Sequence, residues 1–520
     1  MMLLKSMYVG LQNLERTKVL LIFILVASFL LRVWHGQDFF FWHIDEEMLS
    51  LTTKRILVEH RPQLIGFPIP GGLYLGPLMY YIIAASYGIV GMNPSYLPLI
   101  AAIFGTITVF LVYRIGRDLF GERIALIASA IYGFSYLVNV YSRLFTGLTF
   151  VPILSLCVYF FIYKLVKTQS QKYFLLLGLT LLVAVQNEGS SLSLLLLAFI
   201  CYLKFKYTVR IKPLLFLIFL FVVSHLPLFI FNLRHNNYLV GSFITFVTRE
   251  KSAHLFSPVY LPGLLTILPS TFSRIFYIGG NLNISDQILP CPSLLTSRQL
   301  EIPLLLTIIC AFVLLVFIFK ASKKGASIGY KIVLYHLLIA LAGIAFYNLF
   351  LPGYLYEWIL VVLFPGLVFV AAVFLGTIRR DYLIPFLSFS FVVFTFINVW
   401  SLAHTNSNFG LKNKMDAVSY VIGAVGDKPF ELRSTGDCYQ NGYIYLFWQK
   451  GKLPVKSYED ERFSSTLDLN PSGNITPQMT ATIVSPTLQN PQIATTIAGE
   501  LKKKTSLYKS FGEIKVFITN

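Results

Sequence analysis

The stretch "FFFWHIDEEMLSL", residues 39–51, sets Asp45, Glu46 and Glu47 directly behind an aromatic run, in a chain that is otherwise basic and apolar. A carboxylate held between aromatic side chains at a water–lipid boundary loses enough solvation to act as a general base. Asp45 is the candidate for that role. Glu46 and Glu47 also fit a plainer reading, in which acidic residues at the start of the helix "DEEMLSLTTKRIL" favour its dipole and cap it. Farther along, "AVQNEGSS" carries Glu188 in a polar connector, and "NVYSRLFTGLTF" carries Arg143. "NLRHNN", "VTREKSAH" and "STFSRIFY" carry Arg234, Arg249, Lys251 and Arg274, with His235 and His254 between them. Basic side chains beside aromatic ones at a membrane surface can bind a lipid phosphate. A solvated loop near anionic lipid, or an arginine snorkelling from a helix end, accounts for the same residues. The two histidines lack metal spacing. "LPGYLYEW" groups Tyr354, Tyr356, Glu357 and Trp358, whose aromatic members belong at any membrane interface and can also stack on a sugar ring.

The elements that must hold these residues are mostly membrane spans. Of 520 residues, 56% are hydrophobic and 13% charged, with a mean hydropathy of +0.69, a balance no soluble globular domain carries. Apolar runs of about 17–25 residues match a hydrocarbon core ~30 Å thick. A net charge of +18 would point to nucleic acid in a soluble protein. Here the Lys and Arg fall in short loops beside apolar segments and report orientation, so no nucleic-acid partner is expected. Lys5, Arg16 and Lys18 precede a long apolar stretch with no small-residue cleavage site, which reads as an uncleaved signal anchor beginning on the cytoplasmic side.

The hydropathy pattern predicts spans at 17–35, 96–114, 124–141, 148–165, 173–186, 190–203, 213–231, 302–320, 331–350, 357–377 and 382–402. Segment 77–91, "PLMYYIIAASYGIVG", is apolar but short. If it lies along the outer face or dips into it, every basic cluster lands on the cytoplasmic side, as the positive-inside rule requires. That choice predicts about eleven transmembrane helices, N-in and C-out, in a transmembrane domain of residues 1–403. It leaves a first outer loop at 36–95, with interfacial helices, and a large outer loop at 232–301. The tail, 404–520, reads as a small extracytoplasmic α/β domain: a helix "NKMDAVSYVIGAVG", then the alternating stretches "YIYLFW", "TATIVS" and "EIKVFIT", separated by Pro, Asn and Gly turns. The cysteines, at 157, 201, 291, 310 and 438, show no metal or redox spacing. Cys291 and Cys438 fall in the outer regions, where they could pair.

An acidic residue after the first span, the "GPLMYY" helix, and then "YRIGRDLFGERIALIASAIYGFSYLVNVYSR" form an ordered pattern. Over residues 15–205 this pattern resembles the GT-C glycosyltransferases of the protein O-mannosyltransferase and aminoarabinose-transferase superfamily. "PGYLYEWILVVLFPGLVFVAA" is similar to the family's later aromatic-Pro span. The resemblance implies a sugar transferase of the plasma (inner) membrane, with its active site outside, that uses a polyprenyl-phosphate-linked donor. Its acceptor would be a lipid, protein or polysaccharide, and the C-terminal domain would help to present it. The family's first-loop Asp, acting on the acceptor, maps to Asp45, with Glu46 as its acidic neighbour. Direct displacement would invert the anomeric centre. Many relatives carry a second acid in the outer loop after the third span, and here "NVYSRLFTGLTF" has none. Arg143 could hold the donor phosphate from that position, with Arg234 and Arg274 as further candidates. Glu188 could substitute for the missing acid, and Glu188, Tyr356, Glu357 and Trp358 are the candidate substrate contacts. No cofactor is required by this reading, and a divalent metal is left open.

Two rivals remain at this level. A transporter or lipid flippase explains the spans but not an acidic outer loop followed by interfacial helices. Its apolar runs also hold few charges to line a path. A catalytically degenerate relative that only binds glycolipid would explain the missing second acid.

Overall fold

The computed structural model describes residues 2–69, 72–248, 260–278, 304–350, 357–378, 384–405, 410–435, 442–457, 475–485, 491–505 and 507–520. Tyr354, Tyr356, Arg249, Lys251, His254, Cys291 and Cys438 lie outside them. Helices cover the segments expected to span. Among the described residues six are long and apolar enough to cross a membrane, over Pro94–Phe120, Gly147–Thr168, Ile211–Arg234, Leu304–Ser322, Ile328–Phe346 and Glu357–Gly376.

The chain begins with α1 (Met2–Val33), followed by the short α2 (Gly36–Phe39) and α3 (Ile44–Leu57). A two-stranded antiparallel hairpin, β1 (Pro68–Ile69) and β2 (Leu73–Tyr74), returns the chain to α4 (Leu78–Val90). At about 1.5 Å per residue, α4 is roughly 20 Å long, too short for a ~30 Å core. It packs on α3, where Ser50 Oγ and Tyr87 OH lie 2.8 Å apart. The short segment at 77–91 is therefore a half-buried helix packed on α3 and too short to span by itself.

Then come α5 (Leu97–Phe120), α6 (Glu122–Phe134), α7 (Tyr136–Tyr141), α8 (Gly147–Thr168), α9 (Gln171–Asn187), α10 (Leu192–Phe205) and α11 (Ile211–Arg234). The span expected over 124–141 is thus broken at Ser135. The break has structural partners: Ser135 Oγ donates to the Ile275 carbonyl (2.6 Å), and the Tyr136 N–H donates to Asn398 Oδ1 (2.7 Å). Carbonyls freed by the break are taken up by Asn139 Nδ2, 2.9 Å from Gly133 O and 2.7 Å from Ser135 O. The fully buried Arg32 of α1 also donates to Gly133 O, at 3.3 Å. A helix can end inside protein only when such partners exist.

After α12 (Tyr238–Thr248) and α13 (Tyr260–Phe276) the bundle is completed by α14 (Leu304–Ser322), α15 (Ile328–Phe350), a 3-10 turn (Glu357–Leu363), α16 (Phe364–Gly376) and α17 (Ile384–His404). α16 is the buried centre, with Phe364 through Val373 all excluded from solvent. By contrast α11 is almost wholly exposed on the protein surface, as a helix facing lipid should be.

The C-terminal part contains α18 (Leu411–Val425), β3 (Phe430–Thr435), α19 (Ile444–Gln449), β4 (Lys456–Ser457), β5 (Met479–Val484), α20 (Pro491–Lys504), β6 (Tyr508–Phe511) and β7 (Ile514–Thr519). The sheet order is β4-β3-β5-β7-β6, parallel from β4 through β5 and antiparallel at β7 and β6. "TATIVS" and "EIKVFIT" supply β5 and β7 as expected. "YIYLFW" does not form a strand: it is the helix α19, buried on nearly every side, so its apolar run reflects all-round burial rather than two-fold alternation.

Candidate active site

Successive residues on a helix point about 100° apart, so the three carboxylates in the first turn of α3 cannot share a target. Each has its own. Glu46 is 2% exposed and turns back on its own helix end: its Oε2 accepts the His43 backbone N–H (3.2 Å) and lies 2.7 Å from His43 Nδ1, forming a capping box. Glu47 is fully buried and reaches outward to the C-terminal part, accepting the N–H groups of Gly442 (2.7 Å) and Tyr445 (3.0 Å). Asp45 faces a cavity of about 250 Å³. The dipole-and-cap reading therefore describes Glu46, which does not line the cavity.

The cavity is walled by Asp45 and Leu49 of α3, Phe67, Pro68, Ile69 and Leu75 around the hairpin, Met79 of α4, Thr146 to Leu148 at the start of α8, Asn187 and Glu188 at the end of α9, and Trp358. It brings together three residues singled out in the sequence: Asp45, Glu188 and Trp358. The N-terminal end of α8 opens onto it, capped by Thr146, whose hydroxyl accepts the Leu148 N–H at 3.3 Å. That end carries partial positive charge, which favours anionic groups in the space it faces.

Close backbone approach brings Glu188 in. Gly147 lies so near the end of α9 that a Cβ there would stand 2.5 Å from Asn187 O and 3.4 Å from Glu188 Oε2. Asn187 Nδ2 donates to Gly147 O at 2.7 Å and fixes the same contact. The Glu188 Oε1 atom accepts the Gly189 N–H at 2.9 Å. Burial pushes this carboxyl up to about 7, the Gly189 N–H opposes the rise, and the nearby charge of Asp45 adds to it. At neutral pH the site thus holds one carboxyl that carries a proton part of the time, beside Asp45.

Sequence reasoning missed Asn187. It is 3% exposed, lines the cavity, and its Oδ1 has no partner among the described residues. With Nδ2 anchored on Gly147, the Asn187 side chain is held in the contact between α8 and the end of α9. The only sequence signal was its position in the polar connector "QNEG".

The other expected site residues sit elsewhere. Arg143 is buried, donates to the Leu31 carbonyl at the end of α1, and lies over the Phe39 ring at 5.0 Å. Burial and the neighbouring Arg32 lower its guanidinium to about 9. Arg274 and Glu357 neutralise each other, with Nε and Oε1 2.8 Å apart, and Tyr141 OH donates to Glu357 at 3.4 Å. Both are occupied in holding α13 to the 3-10 turn. Arg234 is exposed at the end of α11, one turn beyond Phe231, whose ring packs on Tyr74 of the hairpin (5.7 Å). Arg234 is not among the residues that line the cavity. For a metal, Asp45 and Glu188 offer two carboxylates, and no cluster of three or more His, Cys, Asp or Glu occurs among the described residues.

Residues 75–231 match the family model of dolichyl-phosphate-mannose-protein mannosyltransferases. No curated protein matches the chain by sequence. In structure the chain is similar to ArnT from Cupriavidus metallidurans in the apo state, with a TM-score of 0.59 and 11% identity over 96% of this chain and 97% of that one. The same enzyme bound to undecaprenyl phosphate gives 0.55 and 13%, again over 96% and 97%. The oligosaccharyltransferase of Archaeoglobus fulgidus, tethered by a disulfide to an acceptor peptide with the NVT sequon, gives 0.51 and 13% over 90% of this chain and 69% of that one. Likeness at such identities speaks to architecture. The chain is a multi-pass α-helical membrane protein with the GT-C fold of these glycosyltransferases.

Proposed function

We propose that the protein is a glycosyltransferase that moves a sugar from a polyprenyl-phosphate-linked donor to an extracytoplasmic acceptor, with inversion. The observation that carries this reading is the meeting of Asp45, Glu188 and Trp358 in one cavity, built from segments far apart in the chain. The relative that binds undecaprenyl phosphate supports the lipid carrier.

In this mechanism Asp45 accepts the proton of the acceptor hydroxyl or amine as that atom bonds to the anomeric carbon. The bond from the anomeric carbon to the phosphate oxygen breaks, and its electron pair leaves with the polyprenyl phosphate. Glu188, when protonated, donates a hydrogen bond to the oxygen whose charge grows, and Arg234 receives the phosphate. Trp358 offers the sugar ring an aromatic face. The outer-side assignment follows the charge bias of the loops.

The test is sugar transfer by the purified full-length protein in nanodiscs, supplied with a panel of polyprenyl-phosphate sugars, comparing wild type with Asp45→Asn, with and without chelator. Turnover in wild type and its loss in the variant support the reading, and chelator sensitivity reports a metal. Absence of both donor binding and transfer across the panel overturns it and directs attention to transport in liposomes.

A further inference from the structure

We infer that the C-terminal domain is a positioning element for Asp45, acting through Glu47 on helix α3. This rests on the transferase reading above and extends it to a part of the chain that contributes no residue to the cavity lining.

Glu47 follows Asp45 by two positions on the same helical turn. Its two carboxylate oxygens accept the N–H groups of Gly442 and Tyr445, 2.7 and 3.0 Å away. These are donors at the start of α19, where the first N–H groups of a helix have no partner of their own. A buried carboxylate in the first turn of one helix thus caps the N-terminus of another, and charge-assisted bonds of this kind are strong and directional. Next to it, Trp42 Nε1 donates to Gly442 O at 2.7 Å. Gly442 is therefore held through both its N–H and its carbonyl.

The residue type at 442 is fixed by the same contact. Gly442 has φ +98°, and a Cβ there would lie 2.9 Å from Trp42 Cδ1 and 3.1 Å from Lys414 Nζ. Only glycine lets the C-terminal domain come this close to the outer loop. Further bonds continue the seam on both sides. The Leu411 N–H donates to Phe40 O (3.0 Å), Phe41 bridges Gly410, and Tyr445 OH donates to Met92 O (2.8 Å). The seam takes hold at Phe40, Phe41 and Trp42 before Asp45 and at Glu47 after it, so it anchors the chain on both sides of Asp45.

The consequence is geometric. A general base must sit within hydrogen-bond reach of its proton, and displacement by about 1 Å can cost ~10²-fold in rate. The first turn of α3 has its own cap at Glu46, but its direction in space is set from the other side, by Glu47.

The experiment uses the full-length protein in nanodiscs and compares wild type, Gly442→Ala, Glu47→Gln and the control Arg433→Ala, an exposed position on β3. Donor binding stoichiometry measures the folded fraction, and hydrogen exchange follows the amides of α3. We expect Gly442→Ala and Glu47→Gln to bind donor at wild-type stoichiometry with KM within about twofold. Their kcat should fall about tenfold or more, with faster exchange in α3, while Arg433→Ala matches wild type. Undiminished kcat per donor-bound enzyme in Gly442→Ala overturns the positioning role while leaving the transferase reading intact. So does unchanged exchange in α3. If donor binding is lost in Gly442→Ala, Glu47→Gln decides by the same two readouts, and loss of binding in both shows a folding role and overturns the inference. A wild type that transfers no sugar overturns the transferase reading itself, and the positioning role with it.

Discussion

Asp45 and Glu188 line one cavity, the first from the start of α3 and the second from the end of α9, and the charge of Asp45 adds to the rise that burial imposes on Glu188. Two carboxyl groups in one site can then do different work, because their environments push their proton affinities apart.

Replacing Asp45 by Asn removes the base and keeps the shape. Transfer should fall by about 10²- to 10⁴-fold, the usual share of general-base catalysis, with donor binding retained. Single-turnover assays beside equilibrium donor binding separate the two.

Glu188 titrates near 7 instead of its ordinary 4.5. If its proton supports the leaving group, kcat/KM declines as pH rises through about 7. Glu188→Gln is neutral at every pH and should flatten that alkaline decline while keeping turnover at pH 6 within about tenfold of wild type. Stability has the same sign: a raised carboxyl stabilises the fold fully below about 4.5 and loses that contribution as pH passes about 7. A pH series of transfer and thermal unfolding reads both.

Gly147→Ala forces a Cβ to within 2.5 Å of the Asn187 carbonyl, a backbone atom that cannot swing aside. Overpacking of this kind costs about 1–3 kcal/mol. It should also move Glu188 away from the cavity. Lower thermal stability in detergent together with a lost alkaline decline is the expected pairing.

The Arg274–Glu357 ion pair is buried, with its members 5% and 8% exposed. Removing either partner alone strands a charge and should destabilise by about 3–5 kcal/mol, whereas replacing both by apolar residues of similar volume should cost much less. A double-mutant cycle in thermal unfolding checks this. A phosphate-binding role for Arg274 would instead appear as a raised KM for donor in a folded Arg274→Lys variant.

The sequence-level reading reached the architecture because spans, loop charges and the order "acidic loop, GPLMYY, RDLFGER" are local signals. It singled out Asp45 and Glu188 as acids in an apolar chain and Trp358 as an interfacial aromatic able to stack on a sugar, and the structure places all three around one cavity. It could not divide the labour within "DEE", because the choice among cavity, own cap and distant helix is made by tertiary neighbours. For the same reason "YIYLFW" looked like a strand: α19 is short, and its N-terminus is capped by Glu47 from a distant part of the chain. Asn187 and Gly147 carry no pattern at all. Their roles come from two backbones touching.

The position of β7 in the sheet bears on how such a chain matures. β7 follows every membrane helix in sequence, yet it lies inside the sheet, between β5 and β6. The sheet cannot close before β7 has been made. Glu47 meets its partner Gly442 across 395 residues, so α3 lacks this one anchor until the helices between them have been made. A chain halted before β7 therefore carries Gly442 and Tyr445, the partners of Glu47, but leaves β5 and β6 without the strand that joins them.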